Sequence, residues 1–337
     1  MATEKPRRAS TAPTIYDVAR LAGVNPSTVS RALNTPGRIN ARTEEKVHAA
    51  ARELRYRSNP MARALPTGRT STIGLILSDI TNPMIAGIVR GAATAADALG
   101  YTVVIAESQE SPELESRATE RIVASVDGVI LAASRLDDAS ITELAGEKPL
   151  VLINRALDGV ESVIGEVRAG IEEAVAHLQL LGHTRIVYLA GPSTSWMSRH
   201  RAAVIQDVAS GRGIDIEVVG PNVPTLEGGA ATLSRLVAMD ATAVMAYNDV
   251  MAIGLLRAAA EQGFDVPSQM SIVGFDDVFG SDFTHPPLTT IRMPLLALGE
   301  LAVHRILEAV GVETATEPAA APIAQLVVRG STARPRA

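Results

Sequence analysis

Hydrophobic and polar positions along this chain follow two different periods, and the change falls near residue 70. Before it, apolar residues recur at helical spacing in short stretches. Val18, Leu21 and Ala22 (i, i+3, i+4) mark the apolar face of a first helix. Thr14 can cap its start with Asp17 as the reciprocal partner, and Gly23 stops it. A second helix opens at Asn25, with Pro26 at the first helical position, where a missing N–H costs nothing. Its Val29 and Leu33 face inward, while Ser27, Thr28, Ser30 and Arg31 face out. A third helix starts near Asn40 and carries Val47, Ala51 and Leu54 on one face. Two short helices joined by a Gly-bearing turn and backed by a third form the helix-turn-helix plan.

Residues 59–65 can form two helical turns, and 66–71 are a breaker-rich linker. Beyond the linker, short apolar runs at 73–77, 102–106, 128–131, 150–153, 186–190, 243–246 and 271–275 alternate with helical patterns such as 84–99, 168–181 and 250–262. Strand–helix–strand units at this spacing predict an α/β body of parallel sheets with helices on both faces. Residues 73–163 and 164–290 each hold several such units, so two lobes with a cleft between them are expected. The segment after Thr290 should cross back between the lobes. Ligands of such folds sit at the carboxyl ends of the strands. The expected organisation is a flexible tail at 1–13, a helix-turn-helix head at 14–58, a hinge helix and linker at 59–71, and a body at 72–330. Lobe 1 of that body takes about 72–163 and 292–321, and lobe 2 about 164–291 and 322–330.

Composition narrows the class. Of 337 residues, 47% are apolar and 20% charged, which is globular rather than disordered. The chain has no Cys, which removes disulfides, thiolate catalysis and Cys-based metal sites and suits a cytoplasmic setting. The start lacks an apolar signal segment, and no apolar run approaches the ~18 residues of a membrane span. The net charge of −6 hides an asymmetry. Residues 1–70 hold thirteen Lys and Arg against five acids, a net of +8, so the remainder carries −14. A basic head on an acidic body points to a polyanionic partner that touches the head alone.

Enzyme motifs are missing. There is no phosphate loop of the G-x-x-x-x-G-K-[ST] type, no G-x-G-x-x-G after the first strand, no H-E-x-x-H and no G-x-S-x-G. The six His are scattered without ligand spacing, so neither a metal nor a cofactor is expected. Acids at strand ends, Asp79 and the pair Asp276-Asp277, suit polar ligand contacts or helix caps better than acid–base work.

The run Thr14–Asn34 (TIYDVARLAGVNPSTVSRALN) resembles, almost position for position, the DNA-binding head of the LacI/GalR (lactose/galactose repressor) family. The resemblance continues through Asn59-Pro60-x-Ala62-Arg63-x-Leu65 in the hinge. In the body it covers Asp79-Ile80-Thr81-Asn82-Pro83, Asp127-Gly128-Val129-Ile130, Ala190-Gly191-Pro192, Asn248-Asp249-x-Met251-Ala252 and Val273-Gly274-Phe275-Asp276-Asp277. Pro287-Leu288-Thr289-Thr290-Ile291 closes the set, which spans nearly the whole chain from 14 to 330.

The resemblance implies a sequence-specific transcriptional regulator, in the first instance a repressor that binds a palindromic operator as a homodimer and answers to a small-molecule effector. On the DNA side it implies that Arg31 donates to guanine, Ser27 reaches a base edge, and Tyr16, Thr28, Ser30 and Asn34 hold phosphates. Leu65 would wedge a central base step from the minor groove, with Ala62 beside it. Pro26 stands where some members carry a donor, and Pro66 directly follows the wedge. On the effector side it implies Asp79, Asn82, Met84, Asn154, Arg155, Trp196, Arg201, Asn248 and Asp276. Met84 and Val223 replace a common aromatic, Ala132 a polar residue, and Glu166-Val167 the usual Asp-Asn. A sugar or sugar derivative is therefore expected in a pocket less polar than most, Trp196 supplying the stacking surface. A corepressor, an activating regulator with a non-sugar effector, and a solute-binding protein or enzyme on the same body remain the alternatives.

Overall fold

A computed structural model describes residues 13–34, 38–56, 69–313 and 322–336. The chain divides into two compact units, Met1–Thr70 and Ser71–Ala337. The described part of the first unit is three helices, α1 (Ile15–Ala22), α2 (Pro26–Asn34) and α3 (Ala41–Glu53). The Asp17 carboxylate accepts from the Thr14 amide (2.9 Å) and hydroxyl (2.7 Å), which fixes the start of α1. Gly23, at φ 67°, ends it in the left-handed conformation that glycine adopts without strain. Asn40 caps α3 by accepting from the Arg42 amide. Val18, Ala19, Val29, Ala32, Val47, Ala50 and Ala51 form the core of this unit. Leu21, expected inside, is 47% exposed. The inward stripe runs Ile15–Val18–Ala19–Ala22, and at ~100° per residue Leu21 falls well to one side of it.

The second unit holds two sheets. The first lobe is built from β1 (Thr72–Leu77), α4 (Pro83–Ala98), β2 (Thr102–Glu107), α5 (Pro112–Val123), β3 (Gly128–Ala132), α6 (Asp138–Glu147), β4 (Leu150–Ile153) and β5 (Glu161–Val163). Its strands run parallel in the order β2-β1-β3-β4-β5. The second lobe follows with α7 (Arg168–Leu181), β6 (Arg185–Leu189), α8 (Trp196–Gly211), β7 (Asp215–Val219), α9 (Leu226–Ala230), α10 (Leu233–Ala238), β8 (Ala243–Ala246), α11 (Asp249–Glu261), β9 (Ser271–Asp276) and β10 (Thr289–Arg292). Then α12 (Leu295–Val310) returns to pack on α4 and on the first sheet, and β11 (Gln325–Val327) returns to the second. The second sheet has the order β11-β10-β9-β8-β6-β7. It is parallel except for β11, which runs antiparallel to β10 and so corrects the all-parallel expectation. A strand that enters after a long crossover can lie on an open edge in either direction.

Where α4 meets α12 the backbones nearly touch. A Cβ on Gly91 would lie 2.0 Å from the Leu296 carbonyl oxygen, and one on Gly299 would lie 2.1 Å from that of Ile88. The apolar strands are fully buried between their helix layers, as both-face coverage requires.

The second lobe also takes in residues past 330, where the sequence reading ended the body. The Ser331 hydroxyl receives the Thr289 amide (2.8 Å) and donates to the Ile272 carbonyl (2.6 Å). Buried His183 lies 3.0 Å from the Ala333 carbonyl through Nε2 and 3.1 Å from the Thr242 hydroxyl through Nδ1. A carbonyl only accepts, so Nε2 carries the proton and Nδ1 accepts from Thr242. His177 reaches the Thr332 hydroxyl at 2.9 Å.

Burial holds both His177 and His183 below the ordinary histidine pKa of 6.5. The unfolded chain therefore takes up protons first. The stability these two rings confer is present above pH 6.5 and is lost as pH falls from 6.5 toward their lowered folded values. Thermal melts between pH 7.5 and 5.5 should show a smaller acid-side loss in His183→Gln than in the wild type. Parallel losses in the two proteins would contradict this account.

Candidate functional site

In the first unit, α2 exposes Ser27 and Arg31, with Thr28 and Ser30 half-buried beside them. Tyr16 projects from α1 at 67% exposure, on the flank of that helix away from the core. This collects a guanidinium, three hydroxyls and a phenol on the surface of α1 and α2, with no acid on α2. Asn34 is the last residue of α2. Ala62 and Leu65, expected in the hinge, lie outside the described residues.

In the second unit the polar chemistry gathers where β8 and β9 end. Arg201, on α8, is 2% exposed. One terminal nitrogen donates to the Tyr247 carbonyl (2.6 Å) and the other to the Asp276 carboxylate (2.8 Å), while its face lies 3.6 Å from the centre of the Phe275 ring. Burial pushes the Asp276 carboxyl up, and the charge and hydrogen bond of Arg201 pull it back. Asp276 and Asp277 sit at φ 104° and 53°, sparsely populated for any residue but glycine. Asp277 is anchored from outside by Arg292 and Arg329, both at 2.6 Å.

Asn248 caps α11, its side-chain oxygen accepting from the Met251 amide (2.9 Å). Its Nδ2 is buried and has no partner among the described residues, and the same holds for Arg201 Nε and for Asn154 Oδ1. Asn154, at the end of β4, is held at φ 57°. Each such buried, unpartnered atom costs free energy until a partner arrives, and the Tyr188 hydroxyl, in the field of Arg201, is in the same state.

The remaining expected residues divide. Asn82 caps α4 through the Met84 amide (3.1 Å), and Met84 is buried in the first lobe. Asp79 accepts from the amide and hydroxyl of Thr81 in a local turn. Trp196 opens α8 and stacks on His200, with ring centroids 4.7 Å apart. Arg155 is occupied elsewhere. Its guanidinium donates to the carbonyls of Ser134 and Leu136 and to Asp138 (2.6 Å), tying the end of β4 to the loop before α6. In this structure these bonds hold lobe 1 together. Sequence reading passed over Tyr247 and Phe275, which frame Arg201. Their signal was adjacency, since each directly precedes a predicted site residue.

A cavity of about 780 Å³ opens beside this set, lined by Ala86, Arg90, Val278, Phe279, Met293 and Leu295 among others. Arg201, Asn248 and Asp276 do not line it, and it is mostly apolar. Among the described residues there is no cluster of His, Asp and Glu able to hold a metal ion, and no helix is long and apolar enough to cross a membrane.

A helix-turn-helix unit followed by two α/β lobes, with polar side chains at their strand ends, defines a DNA-binding regulator with a solute-binding body. Residues 14–59 match the bacterial regulatory proteins of the lacI family, and residues 175–332 the periplasmic binding protein-like domain. The HTH-type transcriptional regulator MalR of Streptomyces coelicolor is 35% identical over 334 residues, covering 95% of this chain and 96% of the relative. Among solved structures, the lac repressor dimer bound to operator and the anti-inducer ONPF has a TM-score of 0.85 at 31% identity, covering 96% of this chain and all of that one. The transcriptional regulator CelR in complex with cellobiose has a TM-score of 0.68 at 29% identity, covering 95% and 99%. This chain belongs to the LacI family. It is a DNA-binding transcriptional regulator, not an enzyme.

Removing Arg201 leaves Asp276 as an unpaired buried carboxylate. Arg201→Ala should lower the free energy of unfolding by ~3–5 kcal/mol, read by urea denaturation. A loss below ~1 kcal/mol, the scale of an exposed pair, would show that the pair is not buried as described.

Proposed function

We propose that this protein is a cytoplasmic repressor that binds a near-palindromic operator as a homodimer and is switched by a neutral, polyhydroxylated effector, a sugar or sugar derivative. The observation that carries the effector reading is the set of buried, unpartnered polar atoms, Arg201 Nε, Asn248 Nδ2 and Asn154 Oδ1. A hydroxyl both donates and accepts, so a polyol satisfies such a mixed set where a simple anion does not. Arg201 already carries a matching charge in Asp276, which leaves it free to donate without calling for an anion. Asp79, Asn82, Met84 and Trp196 border the same cleft in this reading. Support also comes from the relatives, one of them solved with operator and an anti-inducer and another with cellobiose.

On the DNA, Arg31 reads guanine, Ser27 a base edge, and Tyr16, Thr28, Ser30 and Asn34 position the head on phosphates. Ala62 and Leu65 enter the minor groove, and a wedge of this kind works with its counterpart from a second subunit. One recognition helix reads a half-site, which asks for a two-fold partner. An exposed edge-to-face pair, Phe279 and Phe283 (86% and 63% exposed, centroids 5.0 Å apart), supports burial of that face against a second copy.

Ligand held by both lobes biases their relative orientation. Lobe 1 continues directly from the hinge, so that bias changes the spacing of the two hinge segments of the dimer. The coupling must then be reciprocal, typically ~1–3 kcal/mol. The test is a thermal-shift screen of cellobiose, maltose, D-galactose and their phosphates, followed by titration of the hit with and without operator DNA. A neutral sugar whose affinity changes with operator supports the reading; equal affinities in both titrations, or a response to the phosphates alone, would overturn it. Arg31→Ala should weaken operator binding by ~1–3 kcal/mol and leave random DNA nearly unchanged, measured by fluorescence anisotropy at fixed salt. Equal losses on both DNAs would make Arg31 a phosphate contact.

A further inference from the structure

The turn that carries Asp276 is strained, and something must hold it. Asp277, next in the chain, is pinned from the outer side by Arg292 and Arg329. From the inner side only one described side chain reaches the turn's backbone. It is Asp249, the first residue of α11, which is fully buried. Its Oδ2 accepts from the Val278 amide (2.9 Å), and its Oδ1 lies 2.5 Å from the Thr290 hydroxyl on β10. The carboxyl lies directly over Gly274 of β9, where a Cβ would approach Oδ1 to 2.1 Å. One side chain therefore joins the start of α11, the turn after β9 and the adjacent strand β10, and β9 keeps a glycine beneath it.

We propose that Asp249 is a positioning residue of the ligand pocket: its carboxyl clamps the Asp276–Asp277 turn in the conformation that aims Asp276 at Arg201. This rests on the reading of Arg201 and Asp276 as effector-binding residues, and it says how their geometry is set. Asp249 neighbours Asn248, whose amide group belongs to the same pocket, so one buried carboxyl stands behind two of the proposed contacts.

The clamp works as a neutral acid. From β9 and its turn, Asp276 and Asp277 face Asp249 with like charge; from β10, Thr290 offers only a hydroxyl. The cations Arg201, Arg292 and Arg329 each lie on one of the other two carboxylates. The remaining helices on α11, α9 and α10, carry Glu227 and Arg235 at the surface. Burial, with the nearby Asp276 charge, pushes the Asp249 carboxyl up to about 8. Protonated, it can donate from Oδ1 to the Thr290 oxygen while Oδ2 goes on accepting from Val278.

The experiment follows backbone amides of the ¹⁵N-labelled full-length protein by NMR from pH 6 to 10, with no effector added. In the wild type the amides of Asp276, Asp277 and Val278 should titrate with a midpoint of about 8. Asp249→Asn keeps an acceptor for Val278 and a donor for Thr290. It should hold those amides at their neutral-pH wild-type shifts and abolish the titration. Asp249→Leu should displace the same amides while those of β6 and β7 stay in place. The proposal fails if Asp249→Leu leaves residues 276–278 unmoved, or if Asp249→Asn titrates like the wild type. Should Asp249→Leu not fold, the profiles of the wild type and Asp249→Asn decide alone. The sugar screen and operator titration of the wild type test the effector reading separately, so either idea can fail without the other.

Discussion

Burying one guanidinium organises the second lobe. Arg201 loses nearly all contact with water, and the desolvation of such a charge runs to several kcal/mol unless charge and hydrogen bonds replace what water gave. Three groups do so: the Asp276 carboxylate, the Tyr247 carbonyl and the face of Phe275. Each places a demand on the chain. To bring Asp276 within reach, the backbone at the end of β9 passes through two successive residues of positive φ, Asp276 and Asp277. To bring the Tyr247 carbonyl within reach, β8 ends at Ala246, and α11 begins almost at once with Asn248 as its cap. The ends of β8 and β9 are thus where the match to Arg201 puts them.

The topology joins two lobes that can still move against one another. The chain passes from the first sheet to the second after β5, returns as α12, and passes again to β11. Lobes joined by several such passages can rotate against one another but cannot drift apart. The α4–α12 contact anchors one end of this arrangement. Its backbones meet at Gly91 and Gly299 with no space for a side chain, so α12 moves with the first lobe although the strands on either side of it in sequence belong to the second.

Much of this was legible from residue patterns. The capping box of Thr14 and Asp17, the stop at Gly23 and the apolar strands buried on both faces announce themselves through chemistry local to a few residues. What stayed hidden depends on partners far away in sequence. β7 reads Asp-Ile-Glu-Val-Val, an edge strand only partly buried, so it lacks the apolar run that betrays a central strand. Strands β5 and β11 have three residues each, too short to show a period. Arg155 also bonds to carbonyls about twenty residues earlier, which no local spacing reveals. Asp249 carried an ordinary helix-start signal, an acid in the first turn, and nothing in that signal distinguishes a solvated acid from a buried one.

The charges also constrain how a neutral effector could act. Arg201 is matched by Asp276, and Asp277 by Arg292 and Arg329, so an uncharged ligand changes no net charge in the pocket. Its effect on DNA binding must then pass through differential affinity for two arrangements of the lobes. A swing from 1:99 to 99:1 requires ~5.5 kcal/mol of such difference. A neutral hydrogen bond contributes ~0.5–1.5 kcal/mol and one to a charged group ~1.5–3 kcal/mol. Bonds to Asn248, Asn154 and Arg201 made in one arrangement only would therefore supply roughly 2.5–6 kcal/mol. In the proposed site, three such bonds reach the required difference only at the upper end of their range, so the loss of any one would leave the transition partial.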